Sequence, residues 1–137
     1  MIIKITLDME KVRSILNMAE NTERYIKEII IKMGIGENQS VLVREYYEII
    51  RGLASAVLLS KGFKTVGENA HKETIDYLSN LKEFSSDEIF EMQELRIRRN
   101  KNSYEGKPIK SPYFENKKEK FESIIHKLKD IIKKKLK

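Results

Sequence analysis

The sequence predicts an all-α protein, an up-and-down antiparallel bundle of four to five helices. Apolar residues recur three and four apart through long segments, the spacing that lines one side of a helix, as in Phe121, Ile124, Ile125, Leu128, Ile131 and Ile132. Glycine and proline fall between those segments rather than within them. No alternating apolar and polar run lasts long enough to build a sheet; "MIIKITL" is the one candidate strand, and it has no obvious partner.

The elements follow in order. The first helix is expected from about Asp8, a side chain able to cap it, to Met33, with Val12, Leu16, Ala19, Ile26, Ile29, Ile30 and Met33 on one stripe. "GIGENQS" closes it. Ser40 is placed to cap the second, "VLVREYYEIIRGLASAVLLSKG", which stops at Lys61 and Gly62. Its later half is apolar all round, which marks it as the most buried helix. "FKTVGEN" leads to a third helix with Ile75, Leu78 and Leu81 facing inward. "SSDE" reads as a capping box in which Ser85 answers Glu88 and opens the fourth. "KPIKSP" breaks the chain, because Pro108 and Pro112 disfavour helix before them. A lysine-rich fifth helix is expected over about 114–137, with Leu136 closing its apolar stripe.

A chain of 137 residues, 40% of them hydrophobic, can bury one core, so a single domain over 1–137 is expected. The absence of cysteine removes disulfides and thiolate metal sites, and fits a reducing, cytoplasmic setting. Apolar runs such as "LASAVLL" fall far below the roughly 18 residues of a membrane span. "MIIKITLDMEK" has none of the marks of a signal peptide. A soluble protein without a membrane partner is the expectation. The net charge of +6 admits an anionic partner, although the tail "KLKDIIKKKLK" carries many of the lysines, and such runs are as a rule merely solvated.

One stretch departs from a plain bundle. "LRIRRNKNSYEG", 95–106, gathers three arginines and two asparagines in the last turns of the fourth helix. At about 100° per residue, Phe90, Gln93, Ile97, Asn100 and Tyr104 form one stripe, read as the seam that faces the bundle. Met92, Leu95, Arg99 and Asn102 lie on another face, with Arg96 and Ser103 at its edge. An apolar patch rimmed by arginine suits a partner surface or an anion pocket. The planar guanidinium fork binds phosphate through two parallel hydrogen bonds. A structural account is also open, in which the arginines pair with Glu88, Glu91 and Glu94 and complement the helix dipole.

The pattern "R-x-x-R-N-x-x-x-Y-x-G", formed by Arg96, Arg99, Asn100, Tyr104 and Gly106, resembles the signature helix of HEPN domains. These are small helical bundles, commonly dimeric, associated with prokaryotic toxin–antitoxin systems, nucleotide binding and RNA cleavage. In their usual motif an arginine and a polar residue precede a histidine. The order of elements is also similar, with a long central helix, a glycine-containing link, "NAHKETIDYL" and the motif helix, so the likeness covers about 40–106. It implies an HEPN-like protein that binds a nucleotide or RNA through Arg96, Arg99, Asn100, Ser103 and Tyr104. It further implies a homodimer formed through the motif helix, with Met92 and Leu95 at the interface, and a toxin-like role beside a nucleotidyltransferase-type antitoxin. An alternative is a metal-independent endoribonuclease with Arg99, Asn100 and Tyr104 as catalytic residues; another is a dimeric interaction module without a nucleic-acid role.

Tyr104 stands where the family has histidine. Tyrosine ionises near 10 against about 6.5 for histidine, so it accepts a proton less readily at neutrality. On a continuous helix Arg99 and Tyr104 point about 140° apart, so they are expected to meet only if the helix ends early or a partner subunit supplies one of them.

Other chemistry is sparse. His71, near the start of the third helix, is expected to be neutral and to tie a loop or support the motif. His126 reads as an exposed residue. Two distant histidines and no cysteine argue against zinc, and Asp87, Glu88 and Glu91 read as first-turn acids rather than magnesium ligands. No cofactor motif is present.

Overall fold

The computed structural model describes residues 1–110 and 112–137, and it is an all-α bundle with one small sheet. The five helices are α1 (Met9–Met33), α2 (Gln39–Ser60), α3 (Ala70–Leu78), α4 (Ser86–Glu105) and α5 (Tyr113–Leu136). Helix α2 sits at the centre and packs against the other four. Its buried residues circle the helix through the later half, Leu53 to Ser60, as an all-round apolar segment requires. Tyr46 joins Phe114 and Phe121 of α5 in an aromatic cluster, with Tyr46 and Phe114 edge to face at 4.9 Å.

Local chemistry sets the boundaries. Asp8 accepts the Lys11 amide at 3.1 Å and caps α1. Ser85 Oγ accepts the Glu88 amide at 3.1 Å while Glu88 Oε1 accepts the Ser85 amide at 2.9 Å, so the capping box at the start of α4 is complete. Ser85→Ala is therefore expected to lower stability by about 1 kcal/mol, read as a shifted urea midpoint. Gly106 ends α4 in the left-handed region at φ 70°, and the Lys107 amide closes back on the Lys101 carbonyl at 3.2 Å. The break that follows spans Lys107 to Pro112, with Ser111 outside the described residues.

Several expectations are corrected. The strand at Ile2–Lys4 (β1) does have a partner, Phe63–Thr65 (β2), in antiparallel register Ile2↔Thr65. Three-residue strands are too short for alternation to show in a sequence. Ser40 does not cap α2, which starts at Gln39 without a side-chain cap; its hydroxyl instead accepts from Asn102 Nδ2 at 3.0 Å, tying α2 to the end of α4. Met33 is exposed at the end of the α1 stripe.

The largest correction concerns α4. The stripe read as its inner seam faces outward, with Phe90 60% and Tyr104 75% exposed. The inner face is Glu88, Glu91, Met92 and Leu95. Met92 and Leu95 are 0% exposed within a single chain, so neither can form a dimer contact. The pattern misleads because half of this seam is carboxylate. Glu88 meets Lys127 Nζ at 2.8 Å and Glu91 meets Lys117 Nζ at 2.7 Å, both from α5. Burial works to raise the Glu88 carboxyl, but Lys127 and the Ser85 amide hold it below its ordinary value.

The same lysines explain the basic fifth helix. Lys120 pairs with Asp87, Lys129 with Glu23 at 2.7 Å and Lys133 with Glu20 at 3.1 Å, so much of its charge clasps α1 and α4. Asp87, Glu88 and Glu91 are each occupied by a lysine of α5.

Candidate functional site

The last two turns of α4 carry side chains to α2 and to the start of α3. Arg99 is the hub. Its Nη1 donates to Asn100 Oδ1 and to the Tyr104 hydroxyl, each at 3.0 Å, and its Nη2 donates to Glu48 Oε1 of α2 at 2.9 Å. The guanidinium carbon lies 5.1 Å from the Tyr47 ring centroid and 5.5 Å from that of Tyr104, so the fork sits between two aromatic rings. Helix α4 runs unbroken through Glu105, and the meeting with Tyr104 occurs all the same. Two long side chains bridge the angular gap beyond the helix surface, without an early helix end or a partner subunit.

The Arg99 side chain is only 18% exposed, and its donors are largely spent within the protein. Arg96 differs. Its Nε donates to Gln93 Oε1 at 2.8 Å, and it has no carboxylate partner among the described residues. Gln93 in turn donates to Asp76 Oδ1 at 2.8 Å and to the Lys72 carbonyl at 3.1 Å, which anchors Arg96 to α3. The amide placed on the presumed seam is thus satisfied across to α3.

Arg96, Asn100 and Tyr104 open onto a cleft of about 310 Å³, closed on the far side by His71, Lys72 and the 67–70 turn. Ser103 is exposed and lies outside this lining. Arg98, the third arginine of the run, turns away: it pairs with Glu94 at 3.0 Å and lies 4.1 Å from the Tyr113 ring centroid. Glu94 is therefore taken by Arg98, while Glu88 and Glu91 go to lysines.

Sequence reading missed the α2 side of the site. Glu48 Oε2 accepts from Arg51 Nη2 at 2.7 Å, so one carboxylate is shared between Arg51 and Arg99. Burial acts to raise the Glu48 carboxyl; the Arg51 hydrogen bond and the charges of Arg51 and Arg99 outweigh it and hold it below the ordinary range. Arg51, in an otherwise apolar stretch, was the available signal. Tyr47 lies beneath Arg99, its hydroxyl buried without a hydrogen-bond partner among the described residues. Burial raises its ionisation above the ordinary value against the pull of Arg99, Arg51 and Arg96.

His71 is largely open to solvent, yet desolvation by the surrounding protein, then Arg51, with smaller contributions from Arg99 and Arg96, pushes it below its ordinary value, with Glu48 opposing. Burial and the neighbouring arginines hold it toward the neutral form. His126 is exposed on α5. The cleft lining itself holds Lys72 and Arg96 against one carboxylate, Glu68, with Arg51, Arg99 and Glu48 close enough to act on His71 from behind it.

The fold and site define a class: a helical bundle with a polar, cationic cleft at the end of its fourth helix. No protein-family model matches the chain, and neither a curated protein nor a solved structure proves similar to it.

Proposed function

We propose that the protein is an HEPN-like nucleotide- or RNA-binding protein, with the cleft between α3 and α4 as the phosphate site. The observation that carries this reading is Arg96, a guanidinium with no carboxylate partner among the described residues, on the wall of a cleft backed by two more guanidiniums that share one carboxylate. Such an arrangement stabilises an incoming anion without first breaking an ion pair. Arg99 and Asn100 are the frame: they hold Tyr104 at the rim, where its exposed ring is free to stack on a base.

The family resemblance adds a toxin-like role beside a nucleotidyltransferase-type antitoxin, and a homodimer through α4. With Met92 and Leu95 buried, the dimer surface passes to the exposed Phe90 and Ile97. A second reading, metal-independent ribonuclease, is favoured by one observation: His71 lines the same cleft as Arg96, Asn100 and Tyr104. A neutral imidazole there supplies the proton acceptor that Tyr104 does not.

One experiment separates the readings. Labelled single-stranded RNA is incubated with the protein in EDTA. Retention of intact RNA supports binding, cleavage abolished by His71→Ala supports the ribonuclease, and neither outcome leaves a pure interaction module.

The low His71 value also sets a pH dependence. Its folded value lies below the ordinary 6.5, so the stability tied to the neutral ring is present above about 6.5 and lost as pH falls below it. A bound phosphate acts in the opposite sense and favours the protonated ring. RNA affinity is therefore expected to rise between pH 7.5 and 5.5, and His71→Ala to flatten that rise, both measured by fluorescence anisotropy.

A further inference from the structure

His71 and Ala70 form a wall with two sides. One faces the cleft of Arg96; the other faces a separate cavity of about 240 Å³ between α1, α2, β2 and α3. That cavity has a floor of Ile15, Leu58 and Leu59, and its charged lining is entirely cationic: Lys11, Arg51 and Lys64. Among the described residues no carboxylate lines it. Lys11 and Lys64 take part in no ion pair among the described residues, and Arg51 Nε is buried without a hydrogen-bond partner. Arg51 gives one nitrogen to Glu48, which lies outside the lining, and in a protein where so many lysines are clasped by glutamates, two unpaired lysines converging with it call for an explanation. Self-repulsion of this kind is relieved by an anion. The hydroxyls of Thr65 and Thr74 are already joined at 2.7 Å, so they are wall rather than recognition groups.

We propose that this cavity is a second binding site, for a phosphate monoester carried on a nucleoside. The phosphate lies among Lys11, Arg51 and Lys64, and the ring system lies on the aliphatic floor. An inorganic anion leaves that floor empty, and an uncharged nucleoside leaves Lys11 and Lys64 unpaired, so both halves of the ligand are used. The proposal rests on the nucleotide reading given above and extends it to a place remote from the arginine helix. Two sources share the chemistry, a free nucleoside monophosphate and the phosphorylated end of an RNA.

The test is a calorimetric titration of the full chain with AMP, alongside Lys64→Glu, Lys11→Glu and Arg96→Ala. Both lysines are exposed and unpaired, so the fold is expected to survive, checked by circular dichroism. Wild type is expected to bind AMP in the cavity, and each lysine reversal to weaken that binding by about 10-fold or more. Adenosine is expected to bind at least about 10-fold more weakly than AMP. Binding lost with Arg96→Ala but untouched by Lys64→Glu and Lys11→Glu overturns the cavity and leaves the cleft standing. Binding lost with the lysine reversals but untouched by Arg96→Ala upholds the cavity and shows that AMP does not use the cleft, whose own test is RNA binding. No binding by wild type overturns the proposal. Competition between AMP and a 5′-phosphorylated oligonucleotide assigns the RNA end as the source, and its absence assigns the free nucleotide; either result upholds the site.

Discussion

Leu95→Asp is expected to unfold the chain. Leu95 is 0% exposed on the inner face of α4, beside Met92 and against the central helix. Truncating a buried leucine to alanine costs about 2–5 kcal/mol. Aspartate adds an unpaired carboxylate on a seam where Glu88 and Glu91 already consume the nearby lysines of α5. The total exceeds about 5 kcal/mol, a large share of the roughly 5–15 kcal/mol that holds a domain folded. Urea unfolding followed by circular dichroism should find no native baseline for Leu95→Asp. For Leu95→Ala it should find a midpoint lowered in proportion to about 2–5 kcal/mol. A folded Leu95→Asp protein that has merely changed its oligomeric state would restore this residue to an interface and refute the packing described for α4.

Arg99→Ala has the second large effect, and it divides between stability and binding. The substitution removes three hydrogen bonds at once, to Asn100, Tyr104 and Glu48, and leaves Tyr104 untethered. Glu48 keeps Arg51 and is partly open to solvent, so no carboxylate is stranded in the core. A stability loss of about 1–3 kcal/mol follows, together with RNA affinity weaker by about 10-fold or more, because both rim groups lose their support. Arg99→Lys should not restore affinity, since an ammonium cannot present a planar fork to partners in several directions. Arg96→Ala provides the contrast: Arg96 lies on the cleft wall and holds no carboxylate, so it should cost affinity with little loss of stability.

How much of this was legible before folding depends on how far apart the partners lie. Helices α1, α2 and α5 follow directly from apolar spacing and from Asp8, Gly62 and the proline-rich break, because each signal is local. The capping box at Ser85 and Glu88 is equally local and is found intact. The inward face of α4 was not legible. Glu88 and Glu91 look like solvent-facing acids until α5 delivers Lys127 and Lys117 to them, and that delivery is tertiary. The β1–β2 pairing was hidden for the same reason, two short segments some sixty positions apart.

The site divides along the same line. Arg96, Asn100 and Tyr104 were visible because they sit in one motif, and His71 because a histidine at a helix start is conspicuous. Glu48 was invisible, and Arg51 and Tyr47 were visible only as a charge and a ring on the central helix, with nothing to join them to the motif. They reach Arg99 only through the packing of α2 on α4, and nothing around "REYYEIIRG" announces a carboxylate shared by two arginines. The separation of Arg98 from its neighbours was likewise set by a distant ring, Tyr113 of α5.

The most direct test of the cationic cleft is the salt dependence of RNA binding. Single-stranded RNA is titrated in EDTA at several salt concentrations against wild type and Arg96→Ala. Binding should weaken as salt rises, and Arg96→Ala should bind about 10-fold more weakly with a logarithmic slope shallower by about 0.7, the share of one phosphate contact. A wild-type affinity indifferent to salt, or an Arg96→Ala protein with the wild-type slope, would contradict it.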